Sequence, residues 1–256
     1  MNLSRSKRLS GIDMRFIIVS CGYNAEKYVE ANMKSIQSQL YKNYVHLIVD
    51  DASTDGTWEK IKNFADDKTV AYRNIENQKW IKNALQYLPP NINSEEDVIV
   101  LVDLDDSLAH NTVLNKVEKA YRKHNCWMTY SLFRYSNGMT SNWIPRYTKE
   151  VYEKKLYRRH IWLFGHMRTF KAFLWNNLKD EDLRDENGNY CIYAYDQVIL
   201  MPMLEMCPPN KIYFIDDVMY NYNDDNPLQV EKINKSLQSK TSRYIRSRPS
   251  YATLIR

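Results

Sequence analysis

The stretch Val98–Leu108, VIVLVDLDDSL, sets an unbroken aliphatic run against three aspartates. An apolar run without polar alternation, and this short, reads as a strand buried on both faces of a sheet. Such a strand needs helices above and below it, so its neighbours should alternate between strand and helix. The three carboxylates at its end repel one another. A metal ion, the start of the next helix or solvent must compensate them.

Working outward, the expected alternation is present. RFIIVSCGYN (15–24) reads as a strand, followed by a helix with Val29, Met33, Ile36 and Leu40 on its apolar face. VHLIVD (45–50) is a second strand ending in the turn cluster DASTDG, and Trp58, Ile61 and Phe64 mark a short helix. TVAYRNI (69–75) is a third strand, and a helix over Trp80–Leu88 is stopped by Pro89 and Pro90. VIVLVD (98–103) is the fourth strand, and a helix with Val113, Val117, Ala120 and Tyr121 inward follows it to Lys123. Beyond Trp127 come a strand near Met128–Tyr135, loops and aromatic-rich helices. The pattern implies right-handed crossovers and an α/β fold with a mainly parallel central sheet flanked by helices.

The composition, 44% hydrophobic and 26% charged, is that of a globular chain. The net charge of +5 is local: Leu228–Arg256 carries seven basic residues (Lys232, Lys235, Lys240, Arg243, Arg246, Arg248, Arg256) against Glu231. A nucleic-acid binder needs a basic face on its main domain, so none is expected as a partner. Cys21, Cys126, Cys191 and Cys207 lack metal-ligand spacing and read as reduced thiols. No signal peptide or membrane-length apolar run is evident, so a soluble, cytoplasmic protein is expected.

In open α/β sheets, ligands bind outside the carboxyl ends of the strands. The first strand delivers Gly22, Tyr23 and Asn24 there, the second Asp50 and Asp51, the third Asn74–Lys79, and the fourth Asp103, Asp105 and Asp106. Any one of these is an ordinary turn cluster; four together point to a polar site. Asp103 and Asp105, two apart in an extended segment, should face the same way. Their oxygens suit Mg2+ or Mn2+. The plainer reading leaves Asp106 or Ser107 to start the following helix.

The blocks VSCGYN, SIQSQLYKNYVHLIVDDASTDGTW, ENQKWIKNAL and VLVDLDDSL resemble, in order and spacing, the N-terminal half of family-2 glycosyltransferases with the GT-A fold. GHMRTFKAFLW, YDQVILMPMLEM and DDVMYNYNDDNP are similar to the acceptor-side half of one branch of that family. The resemblance implies a flexible start over 1–14 and one GT-A domain over 15–227. Residues 15–125 would bind the nucleotide and 126–227, the more irregular half, the acceptor; 228–256 would form a basic helix or tail. It also implies inverting, metal-dependent transfer from a nucleotide diphosphate sugar, UDP favoured, to a saccharide, lipid-linked or protein acceptor.

Position by position, the resemblance assigns Tyr23, Asn24, Asp50, Asp51, Asn77, Lys82, Asp103, Leu104, His166 and Arg168 to the nucleotide sugar, with Asp51 at the base. It gives Asp105, with Asp103 and Asn223, to Mn2+ or Mg2+, and makes Asp196 the catalytic base. Two positions depart from the family's pattern. Lys79 stands where many members have glycine, and Tyr222–Asn223–Asp224–Asp225 stands where many have a histidine ligand, a role left to Asn223 or Asp225. Trp143, Trp162 and Trp175 fit helix-core packing better than sugar stacking. The tail, with Val230, Ile233 and Leu237 at helical spacing, could pack on the domain, fold over the diphosphate or sit on an anionic membrane. The alternatives are a sugar-phosphate nucleotidyltransferase, whose glycine-rich phosphate loop CGYNAEKY lacks, and a non-catalytic binding or scaffold protein.

Overall fold

The computed structural model describes residues 14–228 and 230–256, so the flexible start expected over 1–14 falls, Met14 apart, outside the described residues. The alternation read from the sequence is observed: β1 (Phe16–Gly22), α1 (Glu26–Gln37), β2 (Tyr44–Asp50), α2 (Thr57–Phe64), β3 (Thr69–Arg73), α3 (Lys79–Tyr87) and β4 (Val98–Leu101). β1 pairs in parallel with β2 and β4, and β2 with β3. Alternate residues of these strands serve different cores. Ile17, Val19, Ile99 and Leu101 pack on one face, and Phe16, Ile18, Val98 and Val100 on the other. That is why the runs show no polar alternation.

The second half completes one eight-stranded sheet of order β3-β2-β1-β4-β7-β6-β8-β5. β7 (Arg168–Lys171) runs antiparallel to both β4 and β6 (Met128–Tyr135). β6 is parallel to β8 (Ile212–Tyr222), and the short β5 (Ser107–Leu108) closes antiparallel on β8. The helices here are α4 (Val113–His124), α5 (Lys149–Glu153), α6 (Ala172–Asn176), α7 (Tyr195–Met206), α8 (Val230–Ile233) and α9 (Lys235–Ser247). The order reverses between β1 and β4, which places their carboxyl ends at the switch point where such sheets bind ligands.

Four expectations are corrected. Leu40 is not on α1, which ends at Gln37, and is 58% exposed. No helix starts at Asp106 or Ser107: the Asp106 N–H closes a turn on the Asp103 carbonyl, β5 pairs next with β8, and the helix begins only at Val113. Trp175 packs in the core as expected, but Trp143 is exposed. In the tail, Asn234 breaks the spacing of Val230, Ile233 and Leu237, and the last two are exposed.

The tail docks instead through buried Ile245 and through its arginines. Arg246 donates to the carbonyls of Tyr157 and Arg158 and to the Gln197 side chain, and Arg248 pairs with Asp182. Beneath it, Arg158 and Glu205 form a buried ion pair at 2.6 Å. No helix among the described residues is long and apolar enough to cross a membrane. All four cysteines are free thiols.

Candidate active site

The site is built on the turn Asp103–Asp106, closed by the Asp106 N–H on the Asp103 carbonyl at 2.9 Å. Buried Asn32 of α1 clamps it, donating to the carbonyls of Asp103 (3.1 Å) and Asp106 (3.0 Å). Leu104 points inward, fully buried with Val29, Met33 and Ile48, so its side chain serves the core rather than a ligand. Its closeness explains Gly22: a Cβ there would lie 2.6 Å from that of Leu104.

Because the segment turns instead of extending, its carboxylates part. Asp103 accepts from the Tyr195 hydroxyl at 2.6 Å, and Asp105 from the Asn226 amide at 2.7 Å. Asp106, 4% exposed, accepts from the Tyr220 hydroxyl and the Asn223 backbone N–H, both at 2.7 Å. Asp103, Asp106 and His166 each offer a donor atom within 4.8 Å of the others. Of the expected metal set, Asp103 belongs to this cluster, Asp105 lies in the same turn against Asn226, and Asn223 reaches the turn through its backbone N–H on Asp106.

Burial, reinforced by Asp105, pushes the Asp103 carboxyl up to about 6. Burial and the charges of Asp105 and Asp103 raise Asp106 well above the carboxylate range. Burial and Arg168 hold His166 well below its ordinary value, so its ring is neutral. Two crowded carboxylates and a neutral imidazole match the donor chemistry of a divalent cation, whose charge would offset the repulsion.

At the other strand ends, Asp50 is fully buried. Its carboxylate accepts from the Ser53 N–H at 3.0 Å, with Arg73 at 3.2 Å. Asp51, 5% exposed, accepts from the Asn74 amide (2.7 Å), the Gln78 N–H (2.8 Å) and the Lys79 N–H (2.9 Å). It thereby caps α3, which has no other side-chain cap. Lys79 adopts φ 65, the left-handed conformation that favours glycine, so the departure from the family's glycine carries a backbone cost. The Asn24 side chain accepts from the Thr54 N–H, tying β1 to the β2 loop, while Tyr23 is 43% exposed at the same edge. Asn77 and Lys82 line a cavity of about 560 Å3 with Gln78, Lys79, Tyr190 and Tyr193. Its size is that of a small-molecule site.

Asp196 lies in the first turn of α7. Its Oδ2 accepts from the Trp162 indole at 3.0 Å and faces the buried Arg168 guanidinium at 3.1 Å. Its Oδ1 has no hydrogen-bond partner among the described residues. Arg168 is therefore a buried anchor for a carboxylate, not a surface cation. Tyr195, one residue earlier, reaches Asp103 and stacks on Trp80 of α3 with centroids 4.6 Å apart, joining the two halves. Asn32, Trp162, Tyr195, Tyr220 and Asn226 escaped the sequence reading as site residues. Only Asn32 left a signal, an amide on an otherwise apolar helix face.

Comparison with known proteins follows this geometry. The Streptococcus pneumoniae serotype 4 glycosyltransferase GlyA is 27% identical over 164 residues, covering 62% of this chain. The Escherichia coli UDP-Glc:alpha-D-GlcNAc-diphosphoundecaprenol beta-1,3-glucosyltransferase WfaP is 37% identical over 57 residues, 22% of this chain. The alignments span 23% of each of these relatives. Among solved structures, Staphylococcus aureus TarS 1–349 in complex with UDP matches with a TM-score of 0.59 and 19% identity, over 87% of this chain and 63% of that one. The Pyrobaculum calidifontis mannosyltransferase PcManGT, in complex with GDP-Man and Mn2+, matches at 0.55 and 17%, over 81% and 56%. These likenesses establish the GT-A architecture. Residues 17–180, more than half of the chain, match glycosyl transferase family 2, so the chain belongs to that family.

Proposed function

We propose that this chain transfers a sugar, with inversion, from a nucleotide diphosphate donor, UDP-linked by preference, to an acceptor hydroxyl, using Mn2+ or Mg2+. The observation that carries the reading is the state of Asp196: one oxygen is fixed by Trp162 and Arg168, and the other is unclaimed. A carboxylate held this way keeps its orientation and offers one oxygen to the acceptor's proton. Residues 15–125 serve the donor, with Tyr23 and the α3 cavity beside Asp51 receiving the nucleoside. Residues 126–227 serve the acceptor.

Asp103, Asp106 and His166, with Asp105 adjacent, are the groups available to hold the cation. When bound, it supplies Lewis-acid stabilisation of the departing diphosphate. Tyr195 holds Asp103 in place, and Tyr220 holds Asp106. As the acceptor oxygen attacks the anomeric carbon from the face opposite the diphosphate, Asp196 Oδ1 takes its proton, which gives single-displacement inversion. Arg168 stabilises the Asp196 carboxylate before attack.

The donor preference is supported by TarS, whose structures hold UDP and UDP-GlcNAc, although PcManGT holds GDP-Man. A lipid-linked saccharide acceptor is favoured over a free saccharide or protein by the diphosphoundecaprenol named for WfaP. The free thiols fit the cytoplasm, where the basic tail could also meet a membrane surface.

Incubation with a panel of nucleotide sugars and Mn2+ should release nucleoside diphosphate. Asp196→Asn should abolish transfer while leaving donor binding intact. No release with any donor, with or without acceptor, overturns the reading.

A further inference from the structure

We propose that Arg246, on the tail helix α9, is a positioning residue for Asp196, acting through Trp162 and Gln197. The inference rests on the reading of Asp196 as the base and deepens it: the basic tail holds that carboxylate in place besides covering the domain.

The need for an outside hold lies in the local backbone. Asp196 sits in the first turn of α7, which has no side-chain cap, and Ala194, just before that turn, adopts φ 50. That left-handed conformation is unfavourable for alanine, so the turn is not fixed by its own sequence. Its neighbours are tethered instead. On one side the Tyr195 hydroxyl reaches Asp103. On the other, the Gln197 side-chain oxygen accepts from the Ser242 hydroxyl at 2.8 Å and from Arg246 at 3.3 Å. Ser242 in turn accepts from the Arg246 Nε at 3.3 Å. Asp196 therefore hangs between two tethered residues, one tied to the nucleotide half and one to the tail.

Arg246 also governs the group that touches Asp196 directly. Its guanidinium gathers the carbonyls of Tyr157 (3.1 Å), Arg158 (3.2 Å) and His160. These lie just upstream of Trp162, whose indole donates to Asp196. An arginine carries five N–H donors on a rigid plane, so one side chain fixes the distance between the two segments that frame the base. A lysine, with a single point charge, cannot.

The bonding pattern separates this role from docking. Arg248, two residues on, fastens the tail by an ion pair to Asp182 and a bond to the Glu181 carbonyl, both outside α7 and the Trp162 segment. A charge-assisted pair of that kind is the stronger anchor. Arg246, half-buried, instead spends its donors on neutral acceptors, most of them beside the base.

The test uses the full chain. Its six tryptophans give six indole N–H resonances, and that of Trp162 is assigned by its loss in Trp162→Phe. Arg246→Met should shift or exchange-broaden this resonance, whereas Arg248→Met, which also loosens the tail, should leave it in place. In nucleoside diphosphate release, Arg246→Met should lower kcat at least about tenfold with donor KM within about threefold. Arg246→Lys should not restore kcat, and Arg248→Met should keep the wild-type values. Should Arg246→Met fail to fold, Ser242→Ala takes its place: it removes one hydrogen bond to Gln197 and should lower kcat about threefold. An unmoved Trp162 signal, an unchanged kcat, or the same changes in Arg248→Met would each overturn the assignment. If the wild-type protein releases no nucleoside diphosphate, the proposed function fails, while the indole comparison still decides whether Arg246 holds Trp162.

Discussion

Asp51 separates two roles that its position in the sequence merges. Replacing it with alanine removes three hydrogen bonds to a charged acceptor: from the Asn74 amide and from the Gln78 and Lys79 N–H groups. Such bonds are worth about 1.5–3 kcal/mol each when buried. Lys79 is exposed and Gln78 half-buried, so water re-solvates their N–H groups and these two bonds contribute only about 0.5 kcal/mol each, beside about 2 kcal/mol for the Asn74 bond. The expected loss is about 3 kcal/mol, part of it the cap of α3. For a chain of this length that lowers Tm by about 6–12 °C. Asp51→Asn, which keeps one acceptor oxygen but sets an NH2 against an N–H, should fall between. Thermal unfolding followed by circular dichroism gives the answer. A Tm within about 2 °C of wild type, with nucleotide binding lost, would refute the capping argument and leave Asp51 a ligand contact only.

The remaining predictions concern the base, the strained backbone and acid stability. Trp162→Phe frees Asp196 Oδ2 of its indole donor and should lower kcat roughly 10–100-fold with donor KM little changed; an unchanged kcat removes the anchoring role. Lys79→Gly relieves left-handed strain of about 1 kcal/mol and gives back a similar amount in unfolded-chain entropy, so stability should move by less than about 0.5 kcal/mol. Lys79→Val should cost about 1–2 kcal/mol more; equal urea midpoints for the two variants would contradict the φ argument. Burial lowers the His46 imidazole from 6.5 to about 4. The unfolded chain therefore takes up that proton first, and stability falls as pH drops from 6.5 to 4, by on the order of 3 kcal/mol. His46→Gln should flatten this loss in urea titrations at pH 7 and 4.5, and parallel behaviour of the two proteins would refute it.

The parallel half of the sheet was legible because its strands are covered on both faces, and that condition alone forces unbroken aliphatic runs such as VIVL and FIIV. The positions of Asp51, Asp103 and Asp196 followed from strand order and resemblance. What each carboxylate faces did not. Asp103 and Asp105 read as parallel neighbours only under extended geometry, and the turn closed by Asp106 removes that premise. Asp106 read as a helix start because acidic residues commonly are; Tyr220 of β8 and Asn223 just beyond it, more than a hundred residues later, claim it instead. The resemblance assigns Arg168 to the nucleotide sugar, and its pairing with Asp196 was not legible because that partner is set by tertiary contact, not by spacing. His166 carries no local pattern that announces its proximity to the aspartates.

The stacked pair Trp80–Tyr195, with the Tyr195 hydroxyl on Asp103, bears on how this chain could be recombined with its relatives. Tyr195 at once packs on α3, starts α7 and braces the aspartate turn. A chimera grafting a foreign second half after residue 125 would carry an unbraced Asp103 unless the incoming helix supplied a tyrosine at this position and a partner for Trp80. Specificity in this chain is thus not exchangeable at the boundary its sequence suggests: the practical cut must keep α3 and the first turn of α7 from the same parent.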